Sequence, residues 1–200
     1  MATGNPGKLQ EYRELLSELP LQLVSPAVLG LQDLDVSEDG DSLEANATQK
    51  ARVWAARSAL PALADDTGLF VDALGGAPGI YPARWGGPGL SMAQRRRKLL
   101  DALGDTAPER RRARFVCVIA VAWGEHLKIA RGEHEGRITL EEMPGPAGFG
   151  YDSIFIPRGE DCSWAQLPED VKRSASHRSL AATRIIPLLR QLLPGLCPRG

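Results

Sequence analysis

Apolar residues in the first third of the chain recur first at helical and then at strand-like intervals. Intervals of three and four predict a helix over residues 8–19, and a short alternation predicts a strand over 21–24. An alanine-rich helical pattern follows over 43–60, and its small residues suggest close packing against a sheet. The next apolar run predicts a strand that carries two adjacent carboxylates, Asp65 and Asp66.

The second half of the chain continues this mixture of helices and strands. Ser91 and Gln94 have the spacing of a capping box, which opens a predicted helix that ends at Leu103. The remaining predicted elements are strands over 114–123, 128–135 and 137–140 and a last helix capped by Ser176. Interleaved strands and helices indicate one α/β domain over residues 1–200. We expect a mixed, elongated central β-sheet flanked by helices, with the active site in a central cleft.

The composition excludes several classes of protein. A chain of 200 residues, 43% of them hydrophobic, can build a sizeable core, and a net charge of −1 provides no overall field that favours DNA or a membrane. Cys117, Cys162 and Cys197 have no metal-ligand spacing, so neither a zinc site nor a disulfide framework is expected. The arginine runs 95–97 and 110–112 are predicted to be solvated faces. Because no membrane-length apolar stretch or signal peptide is found, we expect a cytoplasmic protein that binds neither nucleic-acid polymers nor membranes.

The adjacent carboxylates Asp65 and Asp66 are the first candidates for chemistry. Because successive side chains on a strand point to opposite faces, only one of the two can point straight into a given cleft. A carboxylate pair where a strand meets a turn suits a hard divalent cation, which takes oxygen ligands, and suits activation of a water molecule. The alternative is that the Asp-Asp-Thr-Gly sequence at 65–68 forms a solvated turn.

A glycine-containing loop with a lysine leads directly into the first predicted helix. Backbone N–H groups at a helix start and the helix macrodipole favour anions, and the lysine adds a point charge. The loop is not a P-loop, because the pattern G-x-x-x-x-G-K-[ST] is absent. A purely structural turn is the alternative to a triphosphate grip. The predicted phosphate-binding residues are Thr3, Gly4, Asn5, Pro6, Gly7 and Lys8.

Five ordered blocks of sequence together resemble one protein family. They are T-G-N-x-x-K at 3–8, A-D-D-T-G-L at 64–69, L-G-G-x-P-G at 74–79, G-F-G-Y-D at 148–152 and S-H-R at 176–178. In this order and at about these spacings they resemble the inosine-triphosphate pyrophosphatase family, also called XTP/dITP diphosphatases. The resemblance covers essentially the whole chain. The family normally has a short apolar strand before the first block, where this chain has only Met1 and Ala2. Either residues are missing there, or the fold manages without that strand.

The resemblance implies a Mg²⁺ cofactor and roles for the acidic residues. It implies that Asp66 is the general base that activates water, with Asp65 nearby as a second acid. Glu38 matches the acidic segment that supplies a Mg²⁺ ligand in the family, so the implied metal ligands are Glu38, Asp65 and Asp66. Asp39 and Asp41 are alternative ligands, and an exposed acidic loop is the alternative to a metal site. Few protein ligands are required, because Mg²⁺ usually binds through one or two carboxylates plus substrate phosphates.

The resemblance also implies a wall on the base side of the substrate, made by Phe149, Gly150, Tyr151 and Asp152. A ring can stack on the purine there, and a carboxylate can accept hydrogen bonds from its N–H groups. Arg178 is the expected donor to the oxygen at purine position 6, which hypoxanthine and xanthine carry and adenine lacks, and backbone N–H groups are the alternative donors. These residues are therefore expected to discriminate among bases.

Four further substrate contacts complete the implied set. Lys50 matches a phosphate-side lysine, although a surface lysine whose stem lies along apolar neighbours is the alternative. Thr67 lies in the A-D-D-T-G block, and Lys172 and His177 match contacts at the far end of the cleft. His177 has an alternative role as a partner of the helix start.

The implied activity is that of a Mg²⁺-dependent nucleoside triphosphate pyrophosphohydrolase. Water would attack the α-phosphate and release a nucleoside monophosphate and pyrophosphate. The implied substrates are the purine nucleoside triphosphates ITP, dITP and XTP, so the enzyme would cleanse the nucleotide pool, and a homodimer is implied as well. The alternatives are a Maf-like pyrophosphatase, which the 148–152 and 176–178 blocks argue against, and a nucleotide-binding protein without catalysis.

Overall fold

The computed structural model describes residues 1–146 and 148–196, so Cys197 lies outside the described residues. The helices are α1 (Pro6–Leu15), α2 (Leu43–Ser58), α3 (Met92–Leu103), α4 (Glu169–Ala175) and α5 (His177–Leu196), and the strands are β1 (Ala62–Val71), β2 (Pro78–Gly79), β3 (Arg112–Trp123), β4 (His126–Ile138) and β5 (Phe155–Pro157). Within these described ranges, no helix combines the length and the apolar character that crossing a bilayer requires.

The strands form one five-stranded sheet in the order β2-β1-β3-β4-β5. The pairing of β1 with β2 is antiparallel and sets Leu69 opposite Gly79, and the antiparallel pairing of β4 with β5 sets Ile138 opposite Phe155. Almost every residue of β3 is buried, as its long apolar run predicts. The predicted α/β class with a central sheet and flanking helices is confirmed.

Two predicted strands on either side of Gly136 are a single strand, β4. A Cβ at Gly136 would lie 2.3 Å from the carbonyl oxygen of Ile156, so only glycine lets β5 approach this closely. The predicted strand at 21–24 is wrong, because no strand is assigned there. The Val24 carbonyl instead accepts a hydrogen bond from the amino group of Met1 at 2.7 Å, which is not a ladder bond.

The chain divides into two compact units. The first contains Met1–Asp66, Cys117–Gly132 and the chain from Arg178 onward, and the second contains Thr67–Val116 and Glu133–His177. That residues 1–200 form one domain stays a prediction.

The core of the first unit joins helices α1 and α5 to strands β1 and β3. Tyr12, Leu63, Ile119 and Ile185 are all buried in it. Burial of this apolar area stabilises the unit by about 25 cal/mol per Å² removed from water. The Tyr12 hydroxyl lies 3.6 Å from the sulfur of Cys117, and burial raises the pKa of that thiol to about 12. Cys117 is therefore a packing residue.

The core of the second unit surrounds an aromatic cluster. The rings of Phe115 and Phe155 lie 4.7 Å apart, and the ring of Trp164 lies 6.1 Å from that of Phe155. Leu99 of α3 is fully buried against this cluster. The predicted capping box starts α3, because Ser91 and Gln94 exchange side-chain-to-backbone hydrogen bonds.

The prediction that both arginine runs are solvated is wrong for one buried residue in each run, Arg111 and Arg95. Only 1% of Arg111 is exposed, and its guanidinium donates to the carbonyls of Thr106 and Thr139 at 2.8 Å and of Gly104 at 2.5 Å. Arg95, in the other run, is buried and donates to two backbone carbonyls. A guanidinium has five N–H donors in a fixed plane, which lets one buried side chain satisfy several carbonyls.

Replacement of Arg111 by Met should lower the free energy of unfolding of the protein. The substitution keeps an apolar stem but leaves three carbonyl groups without their donor, so we expect a loss of about 2–4 kcal/mol. Urea denaturation, monitored by circular dichroism, measures this change. Arg110→Met is the matched control, because Arg110 is an exposed neighbour, and it should change stability by no more than about 0.5 kcal/mol. Equal losses in the two variants would contradict this prediction.

Candidate active site

The loop before α1 caps the N-terminus of that helix with the side chain of Asn5. Asn5 accepts hydrogen bonds through Oδ1 from the N–H groups of Gly7 at 2.9 Å and Lys8 at 3.3 Å, and Pro6 occupies the first turn. The Asn5 N–H in turn donates to the hydroxyl of Thr3 at 3.1 Å. An anion that binds the Gly7 and Lys8 N–H groups would therefore take the place of the Asn5 side-chain oxygen.

Asp65 lies in a buried ion-pair network with Lys8. The ammonium of Lys8 lies 3.0 and 3.2 Å from the two carboxylate oxygens of Asp65. The Nε of Arg178 lies 3.7 Å from Asp65, and its Nη1 donates to Glu11 at 2.6 Å. Burial opposes ionisation of Asp65, but the charges of Lys8 and Arg178 outweigh it, so the pKa of Asp65 lies below its ordinary value.

Arg178 was predicted to read the purine base. Only 3% of the residue is exposed, and it lies between the carboxylates of Glu11 and Asp65. Burial opposes its charge, but these carboxylates raise its pKa above the ordinary value. Within the first unit, this geometry favours a role in holding Asp65, and its role at the base stays a prediction.

Lys50 occupies the centre of a second cluster in the same unit. Its ammonium donates to Glu38 at 2.8 Å, to one carboxylate oxygen of Asp66 at 3.1 Å and to the backbone carbonyl of Asp65 at 2.7 Å. Burial opposes the charge of Lys50, but the neighbouring carboxylates outweigh it and raise its pKa. Lys50 is therefore not a solvated surface lysine, since only 11% of its side chain is exposed.

Asp66 has the opposite electrostatic environment to Asp65. Burial raises its pKa, and although Lys50 opposes this shift, the charge of Glu38 adds to it, so that the net pKa is raised. The other carboxylate oxygen of Asp66 accepts a hydrogen bond from Asn46 at 3.2 Å. Two adjacent carboxylates thus have opposite pKa shifts because β1 points them at different neighbours.

Asn46 is a site residue that sequence reasoning missed. Its side chain donates to Asp66 and accepts from the Gly40 N–H at 2.8 Å, which joins the acidic loop to β1. A Cβ at Gly40 would lie 2.7 Å from the Asn46 oxygen, so this approach requires glycine. The available signal was a polar residue one turn before Lys50 in an alanine-rich helix.

A cavity of about 560 Å³ in the first unit is lined by most of the predicted phosphate residues and by two of the three predicted metal ligands. Its lining includes residues 3–6 and Lys8 of the loop together with Glu38, Lys50, Trp54 and Asp65, but neither Gly7 nor Asp66. Its volume lies in the range of small-molecule sites. The structure therefore brings together in one cavity most of the predicted phosphate residues and two predicted metal ligands, which lie far apart along the chain.

The second unit carries the predicted base-side residues. The side chain of Asp152 accepts hydrogen bonds from the Phe149 N–H at 3.1 Å and from Lys172 at 2.9 Å. The Lys172 ammonium lies 6.0 Å from the centre of the Phe149 ring. Phe149 is 57% exposed, although it is a large apolar residue. An exposed ring with a nearby cation provides a stacking surface.

Three other predicted contacts of this unit are partly or largely buried. The hydroxyl of Tyr151 donates to the Pro82 carbonyl at 2.8 Å, and burial raises the pKa of Tyr151 to about 12. The ring of His177 stacks on Phe115 with centroids 4.9 Å apart. The hydroxyl oxygen of Thr67 is buried and has no hydrogen-bond partner within the described part of the chain.

Comparison with known proteins identifies the family. The model of the Ham1 family matches residues 1–188. A protein from Rhodopseudomonas palustris named dITP/XTP pyrophosphatase is 42% identical over 196 residues, covering 92% of this chain and 92% of that protein. The chain belongs to the Ham1 family. A second relative with the same name, from Xanthomonas campestris pv. campestris, is 42% identical over 186 residues and covers 90% of this chain and 91% of that protein.

Solved structures agree with membership of the Ham1 family. A HAM1 protein from Coxiella burnetii superposes with a TM-score of 0.86 at 35% identity, covering 94% of this chain and 96% of that chain. A protein from Mycobacterium abscessus, described as a nucleoside-triphosphatase and dITP/XTP pyrophosphatase, superposes with a TM-score of 0.75 at 38% identity, covering 92% and 96%. The family predicted from the five sequence blocks is confirmed.

The acidic residues of this Ham1-family chain offer two carboxylates to a cation. Among the described residues, no group of three or more His, Cys, Asp and Glu side chains is arranged to hold a metal ion. Glu38 and Asp66 nevertheless converge on one positive charge, the ammonium of Lys50. This pair fits Mg²⁺, which usually takes one or two carboxylates and completes its shell with water and phosphate oxygens. Asp65 lies in the ion pair with Lys8 rather than beside this pair.

Proposed function

We propose that this chain hydrolyses the non-standard purine nucleoside triphosphates ITP, dITP and XTP to a nucleoside monophosphate and pyrophosphate. The observation that carries this proposal is the similarity to dITP/XTP pyrophosphatases over nine-tenths of both chains. The relatives' names agree with the activity that the sequence predicts. The corresponding biological role is the removal of damaged purine nucleotides from the nucleotide pool.

Asp66 is the proposed general base. It would accept a proton from a water molecule whose oxygen attacks the α-phosphorus, while the bond from that phosphorus to the bridging oxygen breaks and pyrophosphate leaves. A base works best when its pKa is shifted towards the working pH, and the pKa of Asp66 is raised. Asn46 supports this role because its hydrogen bond orients the carboxylate.

Two lysines and a metal ion are the proposed partners of the triphosphate. Lys8 and Lys50 line the same cavity and would balance part of the phosphate charge. A Mg²⁺ ion held by Glu38 and Asp66 would supply further neutralisation of the phosphate oxygens. Because Lys50 now lies between these two carboxylates, it would release at least one of them when the metal ion binds.

Phe149 is the proposed stacking surface for the purine base. Its exposure and the nearby ammonium of Lys172 support this role. Asp152 supports it indirectly, because its carboxylate binds both Lys172 and the Phe149 N–H. The homodimer and the cytoplasmic location expected from the sequence stay predictions.

Product analysis tests the proposed function. With Mg²⁺ and ITP, the purified protein should release IMP and pyrophosphate in equal amounts, measured by anion-exchange chromatography. Addition of EDTA should abolish turnover, because the phosphate charge is then unbalanced, and circular dichroism should show that the fold persists. IDP and orthophosphate as primary products would contradict the mechanism. Tight ITP binding without turnover would favour the alternative of a non-catalytic nucleotide-binding protein.

A further inference from the structure

The loop at 148–152 is closed by local hydrogen bonds around one flexible residue. The Phe149 N–H donates to the Asp152 side chain at 3.1 Å, and the Phe149 carbonyl accepts from the Asp152 N–H at 3.2 Å. Between them, Gly150 has a φ of +62°, in the left-handed region where glycine is favoured. Glycine has the most backbone freedom of any residue, so these local bonds leave the direction of its peptide groups weakly determined.

Arg96 of α3 provides an anchor for this loop from outside it. Its Nη1 donates to the carbonyl oxygen of Gly150 at 2.8 Å. Its Nε donates to one carboxylate oxygen of Glu142 at 3.0 Å, and its Nη2 donates to the other at 3.4 Å. A carboxylate bound by two nitrogens fixes the plane of a guanidinium, which leaves the third nitrogen directed at the Gly150 carbonyl.

The hydrogen bond from Arg96 to the Gly150 carbonyl lies next to Phe149, whose ring is the proposed stacking surface. Phe149 precedes Gly150, and because more than half of Phe149 is exposed, packing constrains its ring less than it would in a core. The direction of the ring therefore depends on the backbone that carries it. The hydrogen bond that holds the Gly150 carbonyl also holds this backbone in place before a ligand binds. The conformational entropy that is lost on binding is then smaller.

We propose that Arg96 is a positioning residue that orients Phe149 for the purine base, with Glu142 orienting Arg96. The inference rests on the proposed function, because it assigns the 148–152 loop to the base of the nucleotide. Arg96 acts through the backbone of Gly150 and does not touch the substrate in this role. It belongs to the arginine run that the sequence predicts to be solvated, so sequence reasoning did not identify it.

The test compares Arg96→Met with Arg97→Met, its exposed neighbour on the same helix. Loss of one charged hydrogen bond should raise KM for ITP about ten-fold in Arg96→Met. The kcat should stay within about two-fold, because the groups that perform the chemistry are unchanged. The affinity for IMP, which carries the base, should fall by a similar factor, whereas the affinity for pyrophosphate should not change. Arg97→Met should match the unsubstituted protein in all four quantities.

Three further measurements separate positioning from general stability. Hydrogen exchange should become faster in peptides that contain residues 148–152 of Arg96→Met, with the melting of the whole protein little changed. Arg96→Lys should restore part of the IMP affinity, because an ammonium can reach one acceptor but cannot form the two-point contact with Glu142. Glu142→Gln should give a smaller loss than Arg96→Met, because an amide oxygen still accepts one hydrogen bond.

The outcomes distinguish this proposal from the proposed function. If the unsubstituted protein turns over ITP but Arg96→Met and Arg97→Met have equal IMP affinity, the role of Arg96 is overturned and the function stands. A parallel fall in IMP and pyrophosphate affinity would likewise overturn it, because it would mark a general structural defect. If the unsubstituted protein neither binds IMP nor turns over ITP, the proposed function fails and this inference fails with it.

Discussion

Asp66→Asn is expected to lower kcat by about 10²–10⁴, the usual contribution of a general base. The amide has the size of the carboxylate but cannot accept a proton from water. KM for ITP should change less than kcat, because Lys8 and Lys50 remain in the cavity. Pyrophosphate release with saturating ITP and Mg²⁺ measures the effect.

The stability of Asp66→Asn should not fall in the way that its activity does. The folded protein raises the pKa of Asp66, so the folded state holds the proton more tightly than the unfolded state. The resulting stabilisation is present at low pH and is lost as the pH rises through the raised pKa. Above the raised pKa none of it remains, so a neutral amide should not lower the melting temperature there through this effect.

Asp72→Asn is the matched control for Asp66→Asn. Asp72 follows directly after β1 and pairs with Arg114 at 3.3 Å in the second unit. The kcat of the Asp72→Asn variant should equal that of the unsubstituted protein. If Asp66→Asn also kept nearly full kcat, Asp66 would not be the base, and Asp65 would be the next residue to replace.

Asp65→Asn is expected to destabilise the protein by about 3–5 kcal/mol, because it breaks a buried ion pair from one side. The amide would remove the Asp65 carboxylate from both Lys8 and Arg178, whereas the contact of Arg178 with Glu11 would remain. Urea denaturation at neutral pH measures the loss. Asp72→Asn again serves as the control, since an exposed ion pair contributes about 0–1 kcal/mol.

The pH dependence of stability gives a second measure of how much the ionised Asp65 stabilises the protein. Its pKa is lower in the folded state than its ordinary value of 3.8, so its contribution is fully present above that value. As the pH falls below 3.8 and through the lower folded pKa, the contribution is lost. The unsubstituted protein should therefore lose stability in this acid range more steeply than Asp65→Asn. A destabilisation below about 1 kcal/mol at neutral pH would show that the network does not hold the first unit together.

A double-mutant cycle can isolate the pair itself. Lys8→Met combined with Asp65→Asn should cost less than the sum of the single changes, because neither charge is then left alone in a buried position. Additive losses would mean that Asp65 acts mainly through Arg178.

Local sequence patterns determined the parts of this fold that depend on neighbours within about four residues. The capping box of Ser91 and Gln94 and the helix that starts near Lys8 were predictable for this reason, since a cap involves only adjacent residues. The long apolar run of β3 was predictable because burial on both faces requires it. The alternation at 21–24 failed, because a strand also needs a partner, which no local pattern supplies.

The sequence by itself determined the family, through five blocks in a specific order, and with it the α/β class and the candidate residues. Tertiary structure alone decided how Asp65 and Asp66 differ, because burial and Glu38 raise the pKa of Asp66, whereas Lys8 and Arg178, which lie far away along the chain, lower the pKa of Asp65. It also decided which arginines are buried, since runs of identical residues carry no information about the carbonyls that face them. Charge and hydrogen bonding act through space over a few ångströms, so side chains with the same sequence pattern acquire different roles once the chain is folded.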